Sequence, residues 1–432
     1  GCLDAAVALS PAAMPAPLQF EISARSSTTH ARVGRVTTPH GSFDTPAFMP
    51  VGTRATVKGL LPELVERTGS QIILNNTYHL MLRPGSPLVR ELGGVHQFMR
   101  WPRPILTDSG GYQVFSMSDI NRINDDGVTF RSIIDGRPID LTPERSIEIQ
   151  NDLGADIIMA FDDCPPSVDP ANLDRQLERL GGHRLMAGPP PRKSGERRRK
   201  DRESPAEAHA RRLDEANDRT ARWLERCVRA HARKDEQALF GIVQGGTDLD
   251  RRTRSVEQVC SVDLPGYAVG GVAVGESSDE IARVVAHTAP LLPEDRPRYL
   301  MGVGYEWDIV NAVRSGIDMF DCVLPTRNGR NANAFTRSGQ IRLRNARYRD
   351  DAQPIEAGCP CIACADGYSR AYLRHLFIAE EMLGPVLVSL HNIAHFQALM
   401  MDIRASIGRD DWDGLLARWP VLNHVQASRV NA

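Results

Sequence analysis

The stretch "DIIMAFDDCPP" (156–166) runs through apolar and β-branched residues and then stops at two carboxylates, a cysteine and two prolines. It is too short for a helix and carries no alternation, so it predicts a strand buried on both faces that ends in a polar corner. The same pattern recurs in "PILTDSGG" (104–111), "LFGIVQGG" (239–246), "GYAVGGVAVGE" (266–276), "RYLMGVG" (298–304) and "IDMFDCVLPTR" (317–327), each followed by helical periodicity. Strand then helix, repeated this often, predicts a closed (β/α)8 TIM barrel rather than an open doubly wound sheet. The 432 residues fit a barrel of about 250 plus insertions. Strands of such a barrel deliver their C-terminal ends to one rim, so Asp108, Asp162, Gln244, Gly270, Met301 and Asp321 should converge there.

The composition is that of an ordinary globular chain, 41% hydrophobic and 25% charged. A formal net charge of -2 excludes a globally basic nucleic-acid binder but leaves room for a local basic patch. No apolar run approaches the ~18 residues of a membrane span. Residues 1–17 are Ala/Pro-rich with no basic start, which predicts a loose tail rather than a secretory signal; Met14 offers a natural start. Eight scattered cysteines do not form a disulfide framework, so a reducing cytoplasm is expected.

Two segments depart from the repeat. Between Arg192 and Arg202 seven Arg/Lys face two acids, within a Gly- and Pro-punctuated stretch (181–203) expected to be a basic, mobile surface insertion. Asp169-Pro170 opens a helix before it, and "SPAE" (204–207) supplies Ser at the N-cap, Pro at N1 and Glu at N3 of the next. The second departure, 357–395, holds Cys359-x-Cys361-x2-Cys364, three thiols on one tight loop. Such a loop suits a tetrahedral Zn2+ that takes one further donor. His375, His391 and His395 are the candidates; His375 falls inside a helix, whereas "SLHN" (389–392) begins the following segment, which favours His391. Three thiolates and one imidazole leave no open position, so the metal would be structural.

Asp321 lies in "MFDCVLPTRNGR" (319–330), at the end of a buried strand and before a Pro-Thr-Arg-Asn-Gly-Arg loop. A buried carboxylate costs several kcal/mol unless it is paired or used. Each acidic strand end could simply cap a helix, but several together favour catalysis. Asp321 and Asp108 can divide the labour of nucleophile and proton carrier at an anomeric carbon, with Arg327 and Arg330 gripping phosphates beside them. Tyr112 and Met301, with the Gly270–Gly271 amides, suit a flat heterocycle such as a purine.

Together "DSGGYQVF", "AFDDC", "GIVQGG", "AVGGVAVGE", "YLMGVG", "DMFDCVLPTRNGRNANAFT" and the C-x-C-x2-C…H cluster resemble the tRNA-guanine transglycosylase (queuine tRNA-ribosyltransferase) family, from about Phe20 to the C-terminus. The resemblance implies a (β/α)8 barrel over 18–432, with the zinc-binding subdomain (357–395) inserted near the C-terminus. It implies replacement of the wobble guanine of GUN-anticodon tRNAs (Tyr, His, Asn and Asp isoacceptors) in queuosine biosynthesis, by a cytoplasmic homodimer. Asp321 matches the nucleophile and Asp108 the general acid/base. Ser109, Asp162, Gln244 and Gly271 match groups binding the base edge, with Tyr112 and Met301 on its faces. Cys164 and Val274 resemble the bacterial pattern that accepts preQ1; Val272 and Glu276 match the positions that handle its ammonium group. The interval from Cys364 to His391 is one residue longer than is usual in that family.

Overall fold

The computed structural model describes residues 16–117, 120–167, 204–273 and 275–423. Eight parallel strands close into a barrel: β1 (Ala47–Gly52), β2 (Ile73–Asn75), β3 (Ile105–Thr107), β4 (Ile157–Met159), β5 (Ala238–Val243), β6 (Gly266–Val269), β7 (Arg298–Leu300) and β8 (Met319–Cys322). Neighbours in the barrel are neighbours in sequence, and the ring shuts where β8 pairs with β1, Asp321 opposite Met49. Nearly every strand residue is buried, which is why these segments are continuous apolar runs without alternation.

Inside the ring, Met49, Leu74, Leu106, Met159, Phe240 and Tyr299 form one core, joined from below by Leu18, Val36 and Phe43. Val36 and Phe43 belong to an N-terminal antiparallel sheet, Gln19–Arg25, Arg32–Thr38 and Gly41–Thr45, and Leu18 directly precedes its first strand. This sheet plugs the end of the barrel opposite the predicted rim. A buried ion pair pins it: the Arg32 guanidinium donates to both carboxylate oxygens of Asp318 at 2.9 and 2.6 Å and to the carbonyls of Glu294 and Arg296. Asp318 also accepts from the Arg298 amide at 2.7 Å.

The helix Pro205–Ala230 opens on Ser204 with the reciprocal Ser204/Glu207 capping box that "SPAE" predicts. The expected basic insertion 181–203, the helix opening at Asp169, Val274 and residues 1–15 of the expected tail lie outside the described residues.

Two expectations are corrected. The Pro-Thr-Arg-Asn-Gly-Arg segment after β8 is the helix Leu324–Arg330 rather than a loop. Its Gly329 is a packing residue, since a Cβ there would lie 2.5 Å from Ser389 Oγ and 2.7 Å from the Ser389 backbone. "SLHN" does not begin a segment either: it lies inside the 27-residue helix Leu383–Arg409, whose buried, largely apolar course conceals its start. This helix runs back along β1, with Gln397 donating to the Phe48 carbonyl at 3.0 Å and Arg404 to that of Pro46 at 2.7 Å.

Removing one partner of the Arg32–Asp318 pair strands a buried charge. Asp318→Ala should therefore lower unfolding stability by about 3–5 kcal/mol, read by urea denaturation, whereas Asp135→Ala, at an exposed pair, should leave it nearly unchanged.

Candidate active site

The C-terminal ends of the strands surround a cavity of about 310 Å3, lined among others by Asp108, Ser109, Tyr112, Asp162, Cys164, Gln244, Gly270, Gly271, Met301, Asp321 and Arg327. Asp108, Gln244, Gly270 and Met301 each follow directly on the last residue of β3, β5, β6 and β7, and Asp321 lies within β8. Asp162 stands three residues beyond β4, so closing the barrel turns six strand ends, scattered over more than 200 residues, into one pocket.

Asp108 is buried and holds four donors: the side-chain amides of Asn76 and, at 2.8 Å, Gln113, and the backbone N–H groups of Thr77 at 2.9 Å and Gly110 at 3.2 Å. Burial nevertheless dominates and, with the charge of Asp321, lifts its pKa to about 6. Asp321 accepts from the Tyr299 hydroxyl at 2.6 Å and the Gly302 N–H at 2.8 Å, both on Oδ1. Burial raises its pKa too. Oδ2 accepts no hydrogen bond among the described residues, so that oxygen is left to the cavity. Tyr299 is buried beside Asp321, and both effects push its pKa well above the ordinary phenol range, so it remains a donor.

The far wall is built for a planar polar edge. Asp162 accepts from Gln244 at 2.6 Å and from the Ser109 hydroxyl at 3.2 Å, and burial lifts its pKa to about 6. Gly271 sits at φ +63°, where a Cβ would lie 2.4 Å from Gln244 Oε1; only glycine leaves this amide beside the cavity. Cys164 is buried, and its thiol is pushed far up, chiefly by burial and then by Asp162, so it stays neutral. Tyr112 lines the cavity and is 44% exposed.

Val272 is buried without lining the cavity, and Glu276 accepts a hydrogen bond from Ser167. Arg327 is exposed at the rim; Arg330, further along its helix, is half-buried and off the cavity. Neither guanidinium has a carboxylate partner among the described residues.

Sequence reasoning missed the residues that hold the others. Asn76 and Gln113 clamp Asp108, and Tyr299 clamps Asp321. Arg252, fully buried, donates to the carbonyls of Gly246, Val243, Gly270 and Gly271 at 2.7–3.1 Å, tying the β5 and β6 loops together. Tyr299 lies two residues before the singled-out Met301 and was legible as an inward strand position. Arg252, on the helix Leu249–Cys260, looks like any surface cation of an amphipathic helix.

Cys359, Cys361, Cys364 and His391 form a separate cluster. The sulfurs lie 3.7, 3.5 and 3.4 Å from His391 Nδ1. Ligand bonds of about 2.3 and 2.1 Å in a tetrahedron require an S···N edge of about 3.6 Å, so the donor set fits a tetrahedral ion. Nε2 of His391 donates to the Phe335 carbonyl at 2.7 Å, which fixes Nδ1 as the ligating nitrogen. The surrounding small core draws on residues from Ala332 to Ala394. His375 and His395 stand outside the cluster, His395 being paired with Glu306 at 2.9 Å.

Fold and pocket define a (β/α)8 barrel with two clamped carboxylates at the rim of its strand ends and a Cys3His cluster able to hold a metal ion beyond it. The queuine tRNA-ribosyltransferase family profile matches residues 26–180 and 200–421, a break that falls on the basic segment. A queuine tRNA-ribosyltransferase of Synechococcus elongatus is 48% identical over 401 residues, covering 93% of this chain and 94% of its own. Those of Geobacillus thermodenitrificans (92% and 94% covered) and a Nostoc species (94% and 98%) are each 47% identical. The chain belongs to the queuine tRNA-ribosyltransferase family and is a pentosyltransferase.

A carboxyl whose folded pKa is raised contributes most to stability below its unfolded pKa near 3.8, and that contribution is lost as pH climbs through about 6. Asp162→Asn should therefore shrink the loss of stability between pH 5 and pH 7 by about 1 kcal/mol, measured by urea denaturation at both pH values. Cys361→Ser should lower the metal content found by mass spectrometry at least about tenfold and depress the thermal midpoint.

Proposed function

We propose that the chain exchanges the wobble guanine of GUN-anticodon tRNAs (Tyr, His, Asn and Asp isoacceptors) for preQ1 by double displacement through a covalent Asp321–ribose intermediate. The observation that carries this reading is the pairing, in one cavity, of a carboxylate with a free oxygen, Asp321, and a second carboxyl, Asp108, whose pKa lies near 6.

Asp321 Oδ2 attacks C1′ of the ribose as the C1′–N9 bond breaks, and Asp108 gives its proton to the departing guanine. PreQ1 then surrenders its ring N–H proton to Asp108 as that nitrogen bonds C1′, and the Asp321 ester breaks. The Tyr299 hydroxyl and Gly302 amide hold the nucleophile in one orientation without occupying its attacking oxygen. Asp162, Gln244, Ser109 and the Gly271 amide suit the edge of a deazaguanine, and Tyr112 and Met301 its two faces. A buried, neutral Cys164 leaves room for a small aminomethyl group, with Val272 and Glu276 serving its ammonium. The anticodon base must leave its stack to reach the pocket, at the low cost of a single-stranded loop, while Arg327 and Arg330 hold neighbouring phosphates.

Cys359, Cys361, Cys364 and His391 suit Zn2+, which would cross-link the small core and take no part in bond making. The catalytic body spans 18–432 and includes the basic insertion (181–203) and the metal subdomain (357–395). It works in the cytoplasm as a homodimer. No helix among the described residues is long and apolar enough to cross a membrane.

Unmodified GUN tRNA incubated with the protein should give a slow-migrating protein–RNA band on a denaturing gel. The band should vanish on addition of preQ1 and be absent in Asp321→Asn. Asp108→Asn should slow exchange of labelled guanine by about 10²–10⁴-fold. Intact tRNA binding with no band and no guanine incorporation would instead mark a noncatalytic RNA-binding relative.

A further inference from the structure

We propose that Arg342, Arg344, Arg347 and Arg349 form a phosphate track that carries the substrate RNA backbone away from the active-site rim. The inference rests on the tRNA reading above and extends it to a surface outside the pocket. All four side chains are exposed, within eight residues, and the segment is anchored by the buried Leu343 and Tyr348.

None of the four forms an ion pair among the described residues. That sets them apart from the exposed arginines of the helix Pro205–Ala230, where Arg211, Arg222 and Arg229 each meet a carboxylate. In a chain with slightly more acids than bases, four unneutralised guanidiniums side by side call for an anion from outside.

The track is continuous with the rim. Asn333 pairs with Arg342 across the hairpin Asn333–Thr336/Gly339–Arg342, and Leu343 donates to the Ala332 carbonyl at 2.8 Å. Arg342 and Arg344 therefore flank the residues that directly follow the helix bearing Arg327 and Arg330.

The stacking contacts narrow the ligand to the backbone of the RNA. The Arg344 guanidinium lies 5.8 Å from the Phe377 ring and that of Arg347 4.7 Å from the Tyr348 ring, also donating to the Tyr348 hydroxyl at 2.6 Å. Both rings are buried, so they orient guanidinium planes and offer no face to a base. Guanidinium forks oriented by buried rings, as at Arg344 and Arg347, suit phosphate oxygens and read no sequence.

The test compares wild type with R342Q/R344Q/R347Q/R349Q for binding to full-length GUN tRNA across salt concentrations, alongside steady-state exchange of labelled guanine. Each lost phosphate contact removes about 0.7–0.9 from the slope of log K against log salt. The quadruple variant should lose about 3 from that slope and raise KM for tRNA at least about tenfold, with kcat unchanged, and the corresponding four-lysine variant should restore the slope. R342Q/R349Q, whose side chains bond to no other described residue, should lose about half as much and guards against misfolding. A slope and KM equal to wild type in both glutamine variants, with exchange intact, overturns the track alone. Absence of guanine exchange in wild type overturns the function reading instead, and the salt slopes would still score the arginines as an RNA surface.

Discussion

The pairing of β8 with β1 is the contact on which the rest depends. Until Asp321 stands opposite Met49, the strand ends form an open row, and Asp108 and Asp321 belong to distant parts of the chain. Closure places both carboxylates around one cavity and excludes enough water for burial to outweigh four hydrogen bonds at Asp108. The Arg32–Asp318 pair at the opposite end serves that closure, since Asp318 precedes β8 and also accepts from the Arg298 amide at the start of β7. An ion pair at the plugged end thus fixes the strands whose other ends carry the proposed chemistry.

The two carboxylates differ because their partners differ. Asp108 is surrounded on both oxygens by amide donors, yet burial and the neighbouring charge still hold its pKa near 6, where a group can give and take a proton close to neutrality. Asp321 is held through a single oxygen by Tyr299 and Gly302, which leaves the second oxygen free. The division of labour proposed for them therefore rests on which lone pairs the fold occupies.

How much of this was legible in the sequence follows from the range of each interaction. The barrel and its rim were legible because strands buried on both faces are apolar runs, and polar residues at their ends break those runs visibly. The three cysteines were legible because they are adjacent in the chain. His391 could be chosen as the fourth donor, but not its place within the helix Leu383–Arg409, because an apolar helix buried over much of its length carries no boundary in its pattern. The helix Leu324–Arg330 was hidden by Gly329, which favours a loop in isolation and is needed here for close approach to Ser389. Arg252 was invisible because its partners are backbone carbonyls, which every residue possesses.

The Cys3His cluster and the rim are connected through one short stretch of the helix Leu383–Arg409. His391 faces the three sulfurs and donates to Phe335, while the next residue, Asn392, donates to the carbonyls of Pro325 and Asn333 at 2.9 Å and accepts from the Phe335 amide. Pro325 lies in the helix that carries Arg327 and Arg330, and Asn333 opens the hairpin that leads to Arg342. Two adjacent side chains therefore fix the metal loop, the rim arginines and the hairpin against a helix that is itself bonded to β1. A metal bound there would in this way govern where the arginines stand, because the part it would stiffen shares its anchors with the part proposed to grip the RNA.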